Sequence, residues 1–480
     1  MDDHGLTKPR GKPLLDLERP ALRLVFQLAW PVWIYQLLNL AVEFCDRLLA
    51  GRYLDLPEER QLAAQAAQTT ATYLAWMLTN YSVLVQVGST ALVARFCGAR
   101  VQSSAIRATN QSILLAAVLG VTGSVIGMLV LPGLLEWMQM RGEAGDYARQ
   151  FMQPLIVLLT FQVIEAAGIA CLIGSGDTRT GLAVLGGVAA LNVPLTMLFF
   201  FGVGPVPALG FPGIALGTAL AHTAGGLTVL TLLSRGRSGL KLHWRLLRPD
   251  WSLLYRLLRV SVPAGADSFS RVGGQLWFLR IVNGLDIAAQ GAHGIAIHLE
   301  ALSYQSGEAF STATMTLVGQ NLGAGQPKRA ARSGWVGFLA GGAVMATMGA
   351  AFFVAARPLF TLFCPKADQQ PIIEAGVPVL RLVAFAQPAL ASCNIFTAAL
   401  RGAGDTRVPV LFTWLGFFLV RIPLAYVLTQ SSVDLGPLGT MQGFGFGLFG
   451  AWLAMSADIY VRGVIFLARF ASGRWQKIRV

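Results

Sequence analysis

The sequence predicts an all-α polytopic membrane protein of about twelve transmembrane helices, built as two six-helix lobes related by a parallel, pseudo-two-fold repeat. Three observations carry this prediction. Only 13% of the 480 residues are charged against 54% hydrophobic, whereas about a quarter of a soluble domain is charged. Runs such as Ile113 to Leu131, Leu182 to Phe201 and Val408 to Leu428 hold at most one charge over about twenty residues, the length a helix needs to cross a hydrocarbon core. The alternating ten-residue segments of a membrane β-barrel are missing from the pattern. The third observation is a polar heptapeptide spelled twice, GSGDTRT at 174–180 and GAGDTRV at 402–408, 228 positions apart.

In chain order the apolar spans fall near 24–50, 62–90, 107–131, 147–173, 180–202, 212–233, 258–283, 290–318, 333–356, 374–400, 408–429 and 444–468. The first twenty residues are polar and the first apolar stretch is of spanning length, so no cleavable signal peptide is expected. With a cytoplasmic N-terminus, 25 of the 37 Lys and Arg fall in cytoplasmic segments and six in external loops, as the positive-inside rule requires. Both termini are therefore expected in the cytoplasm of a cell (inner or plasma) membrane. The net charge of +13 then reflects topology and not nucleic-acid binding. Five cysteines, Cys45, Cys97, Cys171, Cys364 and Cys393, form no CxxC and mostly sit in apolar stretches, which reads as packing and not as a disulfide framework or zinc site.

The heptapeptides follow the fourth and tenth spans, and other pairs keep nearly the same interval: 93–108 against 317–333, and AWPVW (29–33) against SVPAG (261–265). A six-helix unit has been duplicated. Six being even, both copies face the same way, which gives a repeat about an axis along the membrane normal. The expected lobes are 1–240 and 241–480, joined through the basic stretch 234–251. Within each heptapeptide the glycines end one helix, Asp177 or Asp405 caps the next, and Arg179 or Arg407 holds the boundary in the cytoplasm.

Charged side chains inside a bilayer cost about 2.5–3.5 kcal/mol at its centre, so each needs a partner, a wet cavity or a function. The acidic set is Glu43, Asp46, Glu165, Asp267, Glu300, Glu308 and Asp458, beside Arg47, Arg271, Arg280, Arg381, Arg421 and Arg462. Glu43 with Arg47, Asp267 with Arg271, and Asp458 with Arg462 have the i to i+4 spacing of intrahelical ion pairs. Gln36, Asn39, Glu43 and Asp46 recur at three- or four-residue steps and form a polar stripe on an otherwise apolar first helix, which must face a cavity or another helix. If Arg47 answers Glu43, Asp46 is the carboxylate left to bind and release a proton or an ion. Glu300 and Glu308 are further candidates for a polar cavity.

The chain resembles the MATE (multidrug and toxic compound extrusion) family of secondary transporters, within the wider group that includes lipid-linked saccharide flippases. The residues carrying the resemblance are the twin GDTR segments, FCDRLLAG (44–51), LVGQNLGAGQPKRA (317–330), RIPLAYVL (421–428) and FGAWLAMSADIYVRG (449–463), in order along nearly the whole chain. The resemblance implies two lobes in a V around a central cavity, exporting organic and often cationic compounds in exchange for protons or sodium ions. It places the family's first-helix aspartate on Asp46, its fifth-helix asparagine on Asn192 and a sixth-helix threonine on Thr218, a set of oxygens able to hold a sodium ion. The chain departs from the pattern at Thr196, where some relatives have an aspartate. That loss weakens a site for a hard cation, which binds through oxygen ligands, and favours a proton. It departs again at Arg271, eight residues after Pro263, and near Leu390, where another branch carries carboxylates. Pro194 frees a backbone carbonyl in the fifth helix and permits a bend there.

The expected partners are a small organic solute, a proton or sodium ion and the lipid bilayer, with no nucleic acid, no cofactor and a monomeric chain. Two other readings compete. A flippase for lipid-linked saccharide or peptidoglycan precursors would line its cavity with cations for pyrophosphate, for which Arg47, Arg271 and Arg280 are available. A GxGD-type intramembrane aspartyl protease matches GSGD and GAGD, but needs a second carboxylate in a Tyr-Asp pair, and no such dipeptide occurs. No GxxxxGK[ST] loop is present, so ATP is not the expected energy source and the chain is not expected to be an enzyme.

Overall fold

The computed structural model describes residues 15–52, 67, 71, 74–138, 140, 142–434 and 440–478. Twelve helical elements follow one another: α1 Ala21–Arg52, α2 Leu74–Gly98, α3 Gln102–Trp137, α4 in two segments Gly142–Val157 and Leu159–Ser175, α5 Thr178–Phe201 and α6 Phe211–Ser234. The second half adds α7 Trp251–Asn283, α8 Ile287–Gly323, α9 Pro327–Phe363, α10 Gln370–Gly402, α11 Arg407–Thr429 and α12 Gly447–Ala471. Among the described residues nine helices are long and apolar enough to cross a membrane, ten if bent α4 counts as one span. The two others, α7 and α8, carry Asp267, Arg271, Arg280, Glu300 and Glu308. The polarity of these two helices is concentrated where the charge clusters described below are built.

Large apolar side chains such as Val121, Ile126 and Leu129 on α3 and Leu339, Val354 and Leu362 on α9 are exposed. That arrangement suits helices whose outer faces meet acyl chains, with every backbone group bonded inside its own helix. Pro194 does not break α5, which runs as one helix through it. The chain bends instead in α4, by 51° at the break after Val157. Residues 415–421 of α11 form a π-helical stretch ending at Arg421, and a two-stranded hairpin, β1 Ser432–Asp434 with β2 Thr440–Gln442, precedes α12.

The chain divides into two compact units, one of residues 1–16, 30–265 and 319–325, the other of 17–29, 266–318 and 326–480. The proline motifs AWPVW and SVPAG sit where α1 and α7 pass from one unit to the other. In the first unit the C-terminal ends of α2 and α8 meet reciprocally: a Cβ on Gly98 would strike the backbone of Gln320, and one on Gly323 would strike that of Arg95. Equivalent residues of the two halves thus touch in equivalent ways, as a duplicated sequence predicts. In the second unit Phe338, Phe396, Phe470 and Trp475 form a stack with successive centroid separations of 4.9, 4.7 and 4.7 Å, tying α9, α10 and α12 to the C-terminal turn.

The twin heptapeptides do more than end helices. Gly176 and Gly404 both adopt positive φ, 94° and 85°, which only glycine takes without strain. Asp177 then caps α5, accepting from Thr180 N at 3.0 Å and from its hydroxyl at 2.6 Å. It also accepts from Ser238 Oγ and lies 3.4 Å from Arg237 Nε, beyond the end of α6. Asp405 does not cap its helix. It accepts from Arg469 Nη2 at 2.7 Å, in the last turn of α12. Each aspartate therefore fastens the entry of the fifth helix of its half to the exit of the sixth, a role spacing alone did not suggest. Arg179, expected to be a membrane anchor, stacks over Trp30 of α1 at 5.9 Å.

The basic linker is likewise held down. Asn110 of α3 donates to Lys241 O and accepts from His243 N, while Gln111 donates to Leu246 O and Arg248 O and accepts from Asp250 N, all at 2.8 to 3.0 Å. Burial raises the Asp177 carboxyl, but hydrogen bonds from Ser238 and Thr180 and the Arg237 guanidinium outweigh it and hold the group below the usual aspartate value. A carboxyl depressed by folding stabilises the protein above its unfolded pKa of about 3.9, and that stability is lost as pH falls through the lower folded value. Asp177→Asn keeps a capping oxygen but removes the charge that Ser238, Thr180 and Arg237 answer, and is thus expected to lower thermal stability at pH 7 by about 1 kcal/mol, the margin of a charge-assisted over a neutral hydrogen bond. The gap to wild type should close only below about pH 4, a trend that melting curves in detergent across pH will show.

Candidate functional site

α1 carries the polar stripe on a continuous helix. Gln36 and Asn39 are half-buried, Asn39 Nδ2 donates to Glu43 Oε1 at 3.3 Å, and Glu43 is exposed. One turn on, Asp46 is half-buried with Oδ1 buried and lacking a hydrogen-bond partner among the described residues. The side chain of Arg47, expected to answer Glu43, lies outside the described residues.

Three of the four expected coupling residues come together. Asn192 of α5 donates through Nδ2 to Thr218 Oγ1 of α6 at 3.0 Å and accepts on Oδ1 from Thr196 Oγ1 at 3.3 Å; Thr218 donates in turn to Ile214 O at 3.1 Å. Asn192 and Thr196 are buried. The Gly217 backbone packs tightly on Thr196, which lets the two helices approach. Asp46 Oδ1 makes no hydrogen bond to any of the three. Thr196 therefore does not act as a missing carboxylate; it satisfies the Asn192 amide oxygen.

Sequence reasoning listed Glu165 as an intramembrane charge but missed its partner. Glu165, in the second segment of α4, is 2% exposed, and its Oε2 lies 2.8 Å from His222 Nδ1 of α6. Its Oε1 is buried and has no partner among the described residues. His222 is one turn beyond Thr218. A histidine inside the apolar stretch ALAHTAGG was the available signal, but only the fold shows which carboxylate it meets.

In the second unit the carboxylates Asp267 and Asp458 are each gripped by two guanidinia. The spaced pairs form, Asp267 with Arg271 at 3.5 Å and Asp458 with Arg462 at 2.6 Å. In both clusters a second arginine arrives from a different helix: Arg401 of α10 reaches Asp267 at 2.6 Å, and Arg421 of α11 reaches Asp458 at 2.7 Å. The sequence placed Arg401 in a cytoplasmic loop, yet its side chain turns inward. Phe417 stacks against both Arg421 and Arg462, at 4.2 and 4.9 Å, and Arg421 Nη1 donates to Gln275 at 3.1 Å. Glu308 accepts from Tyr304 at 3.2 Å and acts electrostatically on Arg271 and Arg401, while half-buried Glu300 acts on Arg421.

Long apolar helices in a duplicated arrangement, with carboxylates buried among them, define a multi-pass membrane protein. A family model described as MatE matches residues 31–198 and 263–427, and the chain belongs to the MATE family. It is 28% identical over 456 residues to a probable multidrug resistance protein NorM of Thermotoga maritima, covering 94% of this chain and 93% of that one. It is 27% identical over 449 residues to the multidrug resistance protein MdtK of Yersinia pseudotuberculosis, covering 90% and 94%. Among solved structures it resembles a MOP superfamily transporter from Pyrococcus furiosus with a TM-score of 0.86 and 18% identity, over 97% of this chain and all of that one. A multidrug resistance MATE family transporter in an outward-facing conformation gives 0.85 at 18% identity with the same coverage.

Proposed function

We propose that the chain is a secondary active antiporter of the cell membrane, monomeric and with both termini in the cytoplasm, that exports organic, cationic or amphipathic compounds in exchange for protons. The observation that carries this reading is the orphan oxygen of Asp46, buried at the end of a polar stripe, while the polar groups of the α5–α6 cluster bond one another. A sodium ion needs several oxygens at once. Asn192 Oδ1 already accepts from Thr196, and the Thr218 hydroxyl both donates and accepts, so each oxygen has one lone pair left and a sodium site would need further oxygens, with no carboxylate at position 196 to supply them. A proton needs one oxygen. The names of the relatives, NorM and MdtK multidrug resistance proteins, support extrusion of organic compounds.

The flippase reading loses support from the second unit, where Arg271, Arg401, Arg421 and Arg462 are already paired with Asp267 and Asp458. A pyrophosphate would have to displace those carboxylates. In liposomes holding the purified protein, a pH gradient alone is expected to drive transport of a fluorescent dye cation, and a sodium gradient at equal pH is expected to leave it at background. Transport driven by sodium alone would move the coupling role to a site formed by Asp46, Asn192 and Thr218.

A further inference from the structure

The α4 segment that holds Glu165 is otherwise uncharged, reading LTFQVIEAAGIACLIGS. A glutamate kept there for structure alone would have both carboxylate oxygens bonded, because an unpaired buried oxygen carries its full desolvation cost. Glu165 has one bonded oxygen and one bare one. Space for the carboxyl is left by Gly225, three residues past His222, where a Cβ would lie 2.7 Å from Oε1. His222 is the reachable end of the pair, its side chain one quarter exposed against 3% for that of Glu165. An imidazole in a transmembrane helix belongs toward a polar interior and not toward acyl chains.

We infer that Glu165 and His222 form a second proton-binding site of this exporter, distinct from Asp46 and resting on the proton-coupled reading above. With one proton the pair is neutral, as imidazolium with carboxylate or as imidazole with carboxylic acid, the proton moving along the Nδ1 to Oε2 contact. Release of that proton leaves a neutral imidazole and a buried carboxylate, a net charge of −1. Among the described residues no other charged side chain acts on His222. Around the pair, α1 contributes Tyr35, which lies within electrostatic reach of Glu165 and Glu43, and α5 contributes the apolar Val188, packed on Gly225 beside the Glu165 carboxyl. Among the described residues no Lys or Arg forms an ion pair with either member of the pair. A cationic solute, or water admitted with it, has to offset the released charge, which makes proton and solute competitors for one buried charge. Differential occupancy of that kind is what shifts a two-state equilibrium. The route to the helices is short, since His222 sits one turn from Thr218, whose hydroxyl holds Asn192 of α5.

The test is an infrared pH titration of the purified protein read at the carboxylic-acid band, paired with dye-cation export from liposomes under a pH gradient. Four proteins are compared: wild type, Glu165→Gln, His222→Gln and Asp46→Asn. A titrating carboxyl band that persists in Asp46→Asn and disappears in Glu165→Gln is expected, with gradient-driven export lost in Glu165→Gln and His222→Gln at unchanged melting temperature. A band and an export rate unchanged in Glu165→Gln overturn this inference and leave the Asp46 reading standing. Normal export by Asp46→Asn, with the band lost in Glu165→Gln, does the reverse. Should Glu165→Gln fail to fold, His222→Gln decides: a carboxyl titration and export like wild type overturn the role of the pair.

Discussion

Asp46→Asn is expected to abolish gradient-driven export while leaving the protein folded. The substitution keeps the shape of the side chain and removes its ability to bind and release a proton. Because Asp46 Oδ1 has no hydrogen-bond partner to lose, the change in stability should stay within about 1 kcal/mol, below the usual cost of breaking a satisfied buried network. The functional loss is large for a different reason. A ligand shifts a conformational equilibrium only through its different affinity for the two states; without a titrating group at position 46 the gradient has nothing to act on there. A gradient of one pH unit supplies about 1.4 kcal/mol per proton, and none of it reaches the solute in this variant. Dye export from liposomes at background, with an unfolding midpoint like wild type, is the outcome expected; export at the wild-type rate removes Asp46 from the mechanism.

Asp458→Asn should behave in the opposite way, with a stability loss of about 3–5 kcal/mol, the typical cost of removing one partner from a buried ion pair. Asp458 is fully buried and receives Arg421 Nε at 2.9 Å and Arg462 Nε and Nη2 at 2.6 and 2.7 Å. Neutralising it leaves two buried guanidinia without their bonded counter-charge, with only the weaker pull of Glu300 on Arg421 and of Asp267 on Arg462 beside Gln275 and the Phe417 ring. Arg421→Met should cost less, because Arg462 still answers the carboxylate and a flexible apolar side chain fills the space. Thermal unfolding in detergent will rank the three proteins, and Asp458→Asn melting like wild type would move this cluster from structure to coupling. The two outcomes together would separate a carboxylate kept for packing from one proposed for exchange.

Much of this was legible in the chain. Apolar runs gave the helices because backbone groups in lipid must be satisfied within a segment, which makes length and polarity sufficient to find most of them. The repeat was visible in the twin heptapeptides, and the i to i+4 rule found Asp267 with Arg271 and Asp458 with Arg462. The bend in α4 and the π-helical stretch in α11 left no such mark, since several prolines lie in helices and most of them, Pro194 included, are absorbed without a break.

The sequence by itself determined that this is a duplicated, many-helix membrane protein with more buried charge than a lipid-facing helix tolerates, because hydropathy, periodicity and loop charge are properties of single segments, while its kinship with a transporter family rested on resemblance. Only the tertiary structure decided which charges answer one another. Arg401 and Arg421 reach carboxylates 134 and 37 residues away, His222 finds Glu165 across 57 residues, and Asp177 and Asp405 fasten to Arg237 and Arg469. Such pairs depend on the approach of different helices, and the energy of an ion pair depends on distance and burial, neither of which a linear spacing contains.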